Sequence, residues 1–314
     1  MTATNTARDP ANAMITVPTP PDFTEFWART LDSLPDPIPT LAHLPSLSTD
    51  TVAVFDLRYT SYQDVEVAAW YAVPRAEGRV FPGLVTIPGY ISEPDVPRRW
   101  AELGYATISV APRGKLRSNA VVNPGYPGLL THHIVDHHTY GYRGFYADVI
   151  RALDVLAARP EVDAQRIGVQ GSSQGGGLGI ISAALRPDLV RCFAAGAPYL
   201  CGIWEATKLT HSYPYEEITE YLRAHPGHAE AIQRSVAYYD GMNFAPLVRC
   251  PSYVYLGLAD DVCPPETGFA VFRALGGDKV LDTYEGCAHH AGLHWVRAKF
   301  EAFLARHLNP EAVA

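Results

Sequence analysis

Gly171-Ser172-Ser173-Gln174-Gly175 matches G-x-S-x-G. A serine hydroxyl attacks a carbonyl efficiently only when a base takes its proton, and that base is usually a histidine held by a carboxylate. Both partners follow in the chain. Asp260 and Asp261 end the apolar run SYVYLGLA, and His289 and His290 follow KVLDTYEG. The interval between the two pairs has room for one helix and one strand. Position alone does not choose between Asp260 and Asp261, or between His289 and His290. His294 falls inside a helical pattern and reads as a surface or packing residue. Attack on a carbonyl also creates an oxyanion, which two backbone N–H groups must face. Gln174, directly after the serine, supplies one. Tyr90, in the Gly89-Tyr90 turn after an earlier strand, is placed to supply the other.

These residues need elements to carry them. Ile167, Gly168 and Val169 suit a buried strand, and Leu178, Ile181 and Leu185 fall at helical spacing. Strand, tight turn and helix are the context of a nucleophile elbow, with Ser173 at its apex. Gly171 and Gly175 flank a turn so sharp that a Cβ at either position would meet backbone. The helix beginning near Gln174 aims free N–H groups and its positive dipole end at the same point.

Around the elbow, strands alternate with helices. Strands are expected at 81–90, 105–114, 192–198, 252–260 and 279–286. Helices are expected at 98–103, 142–158, 269–275 and 293–307. This rhythm predicts α/β architecture: a mainly parallel sheet covered by helices on both faces. Residues 52–73 alternate in polarity and predict antiparallel strands. Residues 1–20 read as a loose N-terminal arm, and 21–314 as one domain. Phe23, Phe26, Trp27 and Leu31 form a helical face with Asp22 as its N-cap. The proline-rich stretch 34–45 reads as an extended connector, and 115–140 as a long polar loop. Residues 204–240 interrupt the alternation and read as a helical cap.

Composition narrows the function classes. The net charge is −8 and no basic run occurs, which argues against a nucleic-acid partner. No apolar run is long enough to span a bilayer, and the N-terminus lacks the shape of a signal peptide. Five cysteines without a C-x-x-C pair suit buried thiols in a reducing compartment, so a cytoplasmic location is expected. His132, His133, His137 and His138 flank Asp136, but adjacent pairs in a loop do not match the usual zinc spacings. No metal and no cofactor are expected.

The chain resembles the acetylxylan esterase and cephalosporin-C deacetylase family, the seventh family of carbohydrate esterases within the α/β-hydrolases. PDFTEFW, PEVDAQRIGVQGSSQGGG, YPYEEI, YYDGMNFA and GLADDVCPPETGF each resemble distinctive family segments, in the same order. The resemblance implies an α/β-hydrolase fold. It implies Asp260 as the acid, His289 as the base and Tyr90 as the residue after the oxyanion glycine. It implies removal of acetyl and other short acyl groups from sugars, and for some members from cephalosporins. It also implies a hexamer with sites facing an inner chamber. Two motifs depart from the family pattern: Arg-Gly-Gln reads Arg113-Gly114-Lys115, and His-Glu reads His289-His290. The loop after Lys115 is also shorter than in typical members.

Together these readings give a serine esterase acting on a small acyl ester. Ser173, His289 and Asp260 form its triad, Tyr90 and Gln174 its oxyanion hole, and Arg113, Gly171 and Gly175 its support. Tyr90, Pro214 and Tyr215 are expected to line a shallow acyl pocket. Two rivals share the fold: a peptidase or acyltransferase, and a non-catalytic binding protein.

Overall fold

The computed structural model describes residues 9–310. Residues 1–8 of the expected arm lie outside the described residues. Among the described residues nine strands form one sheet in the order β1-β2-β3-β5-β4-β6-β7-β8-β9. They are β1 (Thr40–His43), β2 (Val52–Thr60), β3 (Glu66–Pro74), β4 (Phe81–Ile87), β5 (Ala106–Ala111), β6 (Val162–Ser172), β7 (Val190–Gly196), β8 (Ser252–Gly257) and β9 (Lys279–Tyr284). The pairs β1–β2, β2–β3 and β3–β5 are antiparallel, and every pairing from β5 through β4 to β9 is parallel. All six residues of β5 and of β8 are buried, as strands covered on both faces require.

Among the described residues ten α-helices accompany the sheet: α1 (Phe23–Asp32), α2 (Arg98–Glu102), α3 (Tyr142–Ala157), α4 (Gln174–Leu185), α5 (Ile203–Leu209), α6 (Glu216–Ala224), α7 (Ala229–Ala237), α8 (Gly241–Phe244), α9 (Pro265–Ala274) and α10 (Leu293–Leu308). Helices cover both faces. Val149, Leu153, Leu178 and Ile181 of α3 and α4 join one large core with Val85, Val169 and Phe193 of the sheet. Val296, Phe300 and Leu304 of α10 join a second core with Leu84, Ala194 and Tyr255. This is the α/β-hydrolase architecture that the alternation and the resemblance led us to expect. Helices α5 to α8 fill the connection between β7 and β8, where the cap was expected.

Three local expectations are corrected. The described part of the arm is not loose. The Arg273 guanidinium donates to the carbonyls of Ala11 and Ala13, and Thr19 Oγ1 donates to Asn243 Oδ1 at 2.7 Å. Asp22 makes no side-chain cap for α1, because its carboxylate instead accepts from the Tyr238 hydroxyl. The connector 34–45 holds a short strand, β1, paired to β2. All five cysteines are free, and only Cys250 is not buried. Among the described residues no helix is long and apolar enough to cross a membrane.

The parallel strands place their C-terminal ends along one edge of the sheet. The loops after β4, β5, β6, β8 and β9 emerge there together. They carry Tyr90, Lys115, Ser173, Asp260 and His289 respectively.

Candidate active site

Ser173 sits between β6 and α4 with φ 58° and ψ −120°, a region that a side-chain-bearing residue rarely occupies. Such strain costs on the order of 1–3 kcal/mol and persists only where surrounding contacts over-determine it. Here the Ser173 N–H donates to the Gly196 carbonyl at 2.8 Å, and its carbonyl accepts from the N–H groups of Gly177 and Tyr199, both at 3.0 Å. The flanking glycines have the expected reason. A Cβ at Gly171 would lie 2.5 Å from the Gly175 backbone, and one at Gly175 would lie 2.1 Å from the Ile87 carbonyl oxygen.

His289 is half-buried, and its Nδ1 lies 2.8 Å from Asp260 Oδ2. A carboxylate partner makes Nδ1 the protonated nitrogen, which leaves Nε2 as the acceptor. Asp260 is itself held: its Oδ1 accepts from the N–H groups of Val262 and Cys263, both at 2.9 Å. Asp261 is exposed and turns to the cap, where its carbonyl accepts from Thr210 Oγ1 and its Oδ2 lies 3.5 Å from Ser212 Oγ. The geometry therefore joins Asp260 to His289 and leaves Asp261 and His290 outside that pair. His294 is exposed on α10.

Ser173 and His289 open on one cavity of about 730 Å³. Gly89, Ser92, Ser172 and His290 also line it, together with Trp100, Arg99, Arg297 and Glu301. Gly89 stands beside the nucleophile: a Cβ built on it would lie 3.9 Å from Ser173 Cβ. Among the described residues, the backbone N–H groups of Tyr90 and Gln174 meet no acceptor. Two free donors thus flank Ser173, one on the loop after β4 and one at the start of α4.

None of the three residues expected to line an acyl pocket, Tyr90, Pro214 and Tyr215, lines this cavity. Pro214 and Tyr215 are buried in the cap and do not line this cavity; the Tyr215 ring packs edge-on against Tyr199, centroids 4.8 Å apart. The Tyr90 side chain turns away as well. Its hydroxyl donates to Glu217 Oε1 at 2.5 Å, and the Leu130 N–H donates both to that hydroxyl at 2.9 Å and to Glu217 Oε2 at 3.0 Å. Burial pushes the Tyr90 phenol far up and raises the Glu217 carboxyl, although Tyr90 and the backbone donors oppose the latter shift.

Arg113, expected as a supporting residue, does not line the cavity. Its backbone N–H and Nε donate to Asp148 Oδ2 at 2.8 and 2.9 Å, and a terminal nitrogen donates to Asp148 Oδ1 at 2.8 Å. This buried bidentate pair fastens the loop after β5 to α3. Lys115, two residues on, is buried and donates from Nζ to the carbonyls of Gly89 and Tyr90. Glu217 and the contacts of Lys115 were not anticipated. A signal existed for each: a charged residue inside the largely apolar YPYEEI run, and a lysine where the family motif carries glutamine.

The histidine-rich loop lies away from this cavity. Ligand atoms of Asp136, His137 and His138 come within 4.8 Å of one another, as their adjacency in the chain allows. His137 is engaged in packing, with its ring stacked on Tyr238 at 4.0 Å.

Known proteins similar to this chain include several acetyl esterases. The curated acetyl esterase Axe7A of Xylanibacter ruminicola is 25% identical over 274 residues, 83% of this chain. The chain spans 61% of that relative's length. The solved acetyl xylan esterase from Paenibacillus sp. R4 superposes with a TM-score of 0.89 at 29% identity, covering 95% of this chain and 98% of that one. Acetyl xylan esterase 1 from Thermoanaerobacterium sp. JW/SL YS485 gives a TM-score of 0.84 at 28% identity, covering 94% and 97%. The sequence profile of the acetyl xylan esterase (AXE1) family matches residues 13–307, nearly the whole chain, and this protein belongs to that family.

Proposed function

We propose that this protein is a serine esterase that removes acetyl and other short acyl groups from acetylated sugars, including xylo-oligosaccharides. One observation carries the reading: Ser173 stands at a strained elbow in the same cavity as His289, whose Nδ1 is held by buried Asp260. Family membership supports the acyl and alcohol classes.

Those contacts support the following mechanism. Ser173 Oγ attacks the acyl carbonyl while His289 Nε2 accepts its proton. The imidazolium that forms is stabilised by Asp260, whose second oxygen is fixed by two backbone donors and so cannot swing away. The oxyanion is held by the N–H groups of Tyr90 and Gln174, which have no other partner to give up. His289 returns its proton to the departing sugar oxygen. Water, deprotonated by the same nitrogen, then releases the short acid. Every proton moves through side chains of this chain.

Deacetylation of cephalosporin-type esters and assembly as a hexamer belong to the same reading, on the strength of the family resemblance alone. The preference for short acyl groups also rests on the family, because Pro214 and Tyr215 do not line the cavity. Measuring kcat/KM for nitrophenyl acetate, butyrate and octanoate, with acetate release from acetylated xylo-oligosaccharides alongside, tests the proposal. Acetate should be preferred, with a loss of roughly tenfold or more by octanoate, since each methylene left unburied forfeits about 0.8 kcal/mol. A flat or rising series, or cleavage of peptides without cleavage of esters, would overturn it.

A further inference from the structure

Lys115 departs from the family motif and lies against the oxyanion loop. Its side chain is buried, and an ammonium in such a place is costly unless its protons are bound. Nζ donates to the Gly89 carbonyl at 2.7 Å and also to the Tyr90 carbonyl. The Gly89 carbonyl and the Tyr90 N–H belong to one peptide unit. A cation on the oxygen of an amide withdraws electron density through its partial double bond and makes the N–H at the other end a stronger donor.

We infer that Lys115 is a positioning residue of the oxyanion hole: its ammonium fixes the Gly89–Tyr90 peptide and polarises the Tyr90 N–H toward the developing oxyanion, so that turnover depends on the charge of Lys115. The inference rests on the serine esterase reading above. Glutamine, which the family motif has here, offers N–H donors without the charge.

The surroundings make that charge titratable near neutrality. Burial brings the Lys115 ammonium down to about 8, and the negative charge of Glu93 opposes the shift. The Glu93 carboxylate accepts from the Leu116 N–H. From the cap, Glu217 faces the same loop through the Tyr90 hydroxyl, and burial raises its carboxyl. Burial also pushes the Tyr90 phenol and the Cys263 thiol up, so both stay protonated as Lys115 loses its proton. The sign is therefore fixed: the ammonium is present at neutral pH and disappears as pH rises through about 8, taking part of the oxyanion stabilisation with it.

The test is the pH dependence of kcat and KM on nitrophenyl acetate, from about pH 6 to about pH 10, for the wild type, Lys115→Gln and Lys115→Arg. Wild-type kcat should fall to a lower plateau through about pH 8. Lys115→Gln should turn over roughly tenfold more slowly at neutral pH with KM nearly unchanged and no alkaline fall, short of the ~10²–10³ lost with an oxyanion donor itself. Lys115→Arg keeps its charge throughout this range and should lack the alkaline fall, whatever its neutral rate. A role confined to structure would lower activity without changing the shape of the profile. Melting temperatures report folding; if Lys115→Gln does not fold, the wild type and Lys115→Arg decide between them. The inference is overturned by a wild type with no alkaline fall near pH 8, by a fall that persists in either variant, or by a folded Lys115→Gln that matches the wild type. Wild-type turnover with any of these results leaves the esterase reading standing, whereas a wild type that hydrolyses no ester overturns both.

Discussion

At the scale of single residues, adjacent pairs make the assignments sharp. Ser173→Ala should lower kcat on nitrophenyl acetate by a factor on the order of 10⁴ or more, because no acyl-enzyme can form. Ser172→Ala should change it only a few-fold, since Ser172 Oγ is directed to the Gly196 carbonyl at 3.3 Å. Equal losses in two folded variants would contradict the assignment. His289→Ala and Asp260→Asn should each cost on the order of 10³-fold or more, whereas His290→Ala and Asp261→Asn should cost little. The physical basis is visible in the contacts. Asp260 meets the imidazole and two backbone donors, while Asp261 is exposed toward Thr210 and Ser212. A reversed ranking in steady-state kinetics would require a different acid or base. The types and order of Ser173, Asp and His were legible in the sequence. The choice within each pair came only from the resemblance and not from position, because neighbouring side chains separate only when the loops beyond β8 and β9 fold against each other.

At the scale of elements, the elbow depends on three backbones meeting with no room for a side chain. Gly175→Ala would place a Cβ 2.1 Å from the Ile87 carbonyl oxygen, so β4 or α4 must move. Overpacking of this kind typically costs about 1–3 kcal/mol, and here it also displaces Ser173. The expected outcome is a lower melting temperature together with loss of most esterase activity; an unchanged variant would show that the elbow has slack. The cap is coupled to the site through Glu217. Glu217→Ala removes the acceptor of the Tyr90 hydroxyl and one acceptor of the Leu130 N–H. The Leu130 N–H keeps the Tyr90 hydroxyl as acceptor, but that hydroxyl loses its own, and a buried donor left unpaired costs about 1–3 kcal/mol, so calorimetry should show destabilisation. Most helices and strands were readable from apolar spacing. The misreadings have local physical causes. β1 lies among prolines that mask an edge strand, and Asp22 had a more attractive partner in the Tyr238 hydroxyl than the start of α1. Pro214 and Tyr215, expected as pocket walls, are buried inside the cap and do not line the cavity that holds Ser173.

At the scale of the whole molecule, the parallel sheet explains why residues far apart in sequence share a cavity. Six parallel strands end at one edge, and five of them each carry a different group to the site. Helices on both faces bury those strands, which leaves the loops as the variable part. Alternation of elements made this architecture legible. The contact of Lys115 with the Gly89–Tyr90 loop was not, because it depends on β5 lying next to β4 in the sheet. Assembly belongs to this scale too. Light scattering should give six times the 34.3 kDa chain mass if the family's hexamer forms here. A monomer would mean that the cavity opens directly to solvent and not to an inner chamber.

The central claim is that Ser173 is an activated nucleophile. Its most direct test is covalent trapping. The full chain is treated with an aryl fluorophosphonate, digested, and the modified residue located by mass spectrometry. The predicted result is one phosphonyl adduct on Ser173, abolished in Ser173→Ala and strongly slowed in His289→Ala. An adduct on another residue, or none on a folded protein, would contradict the account.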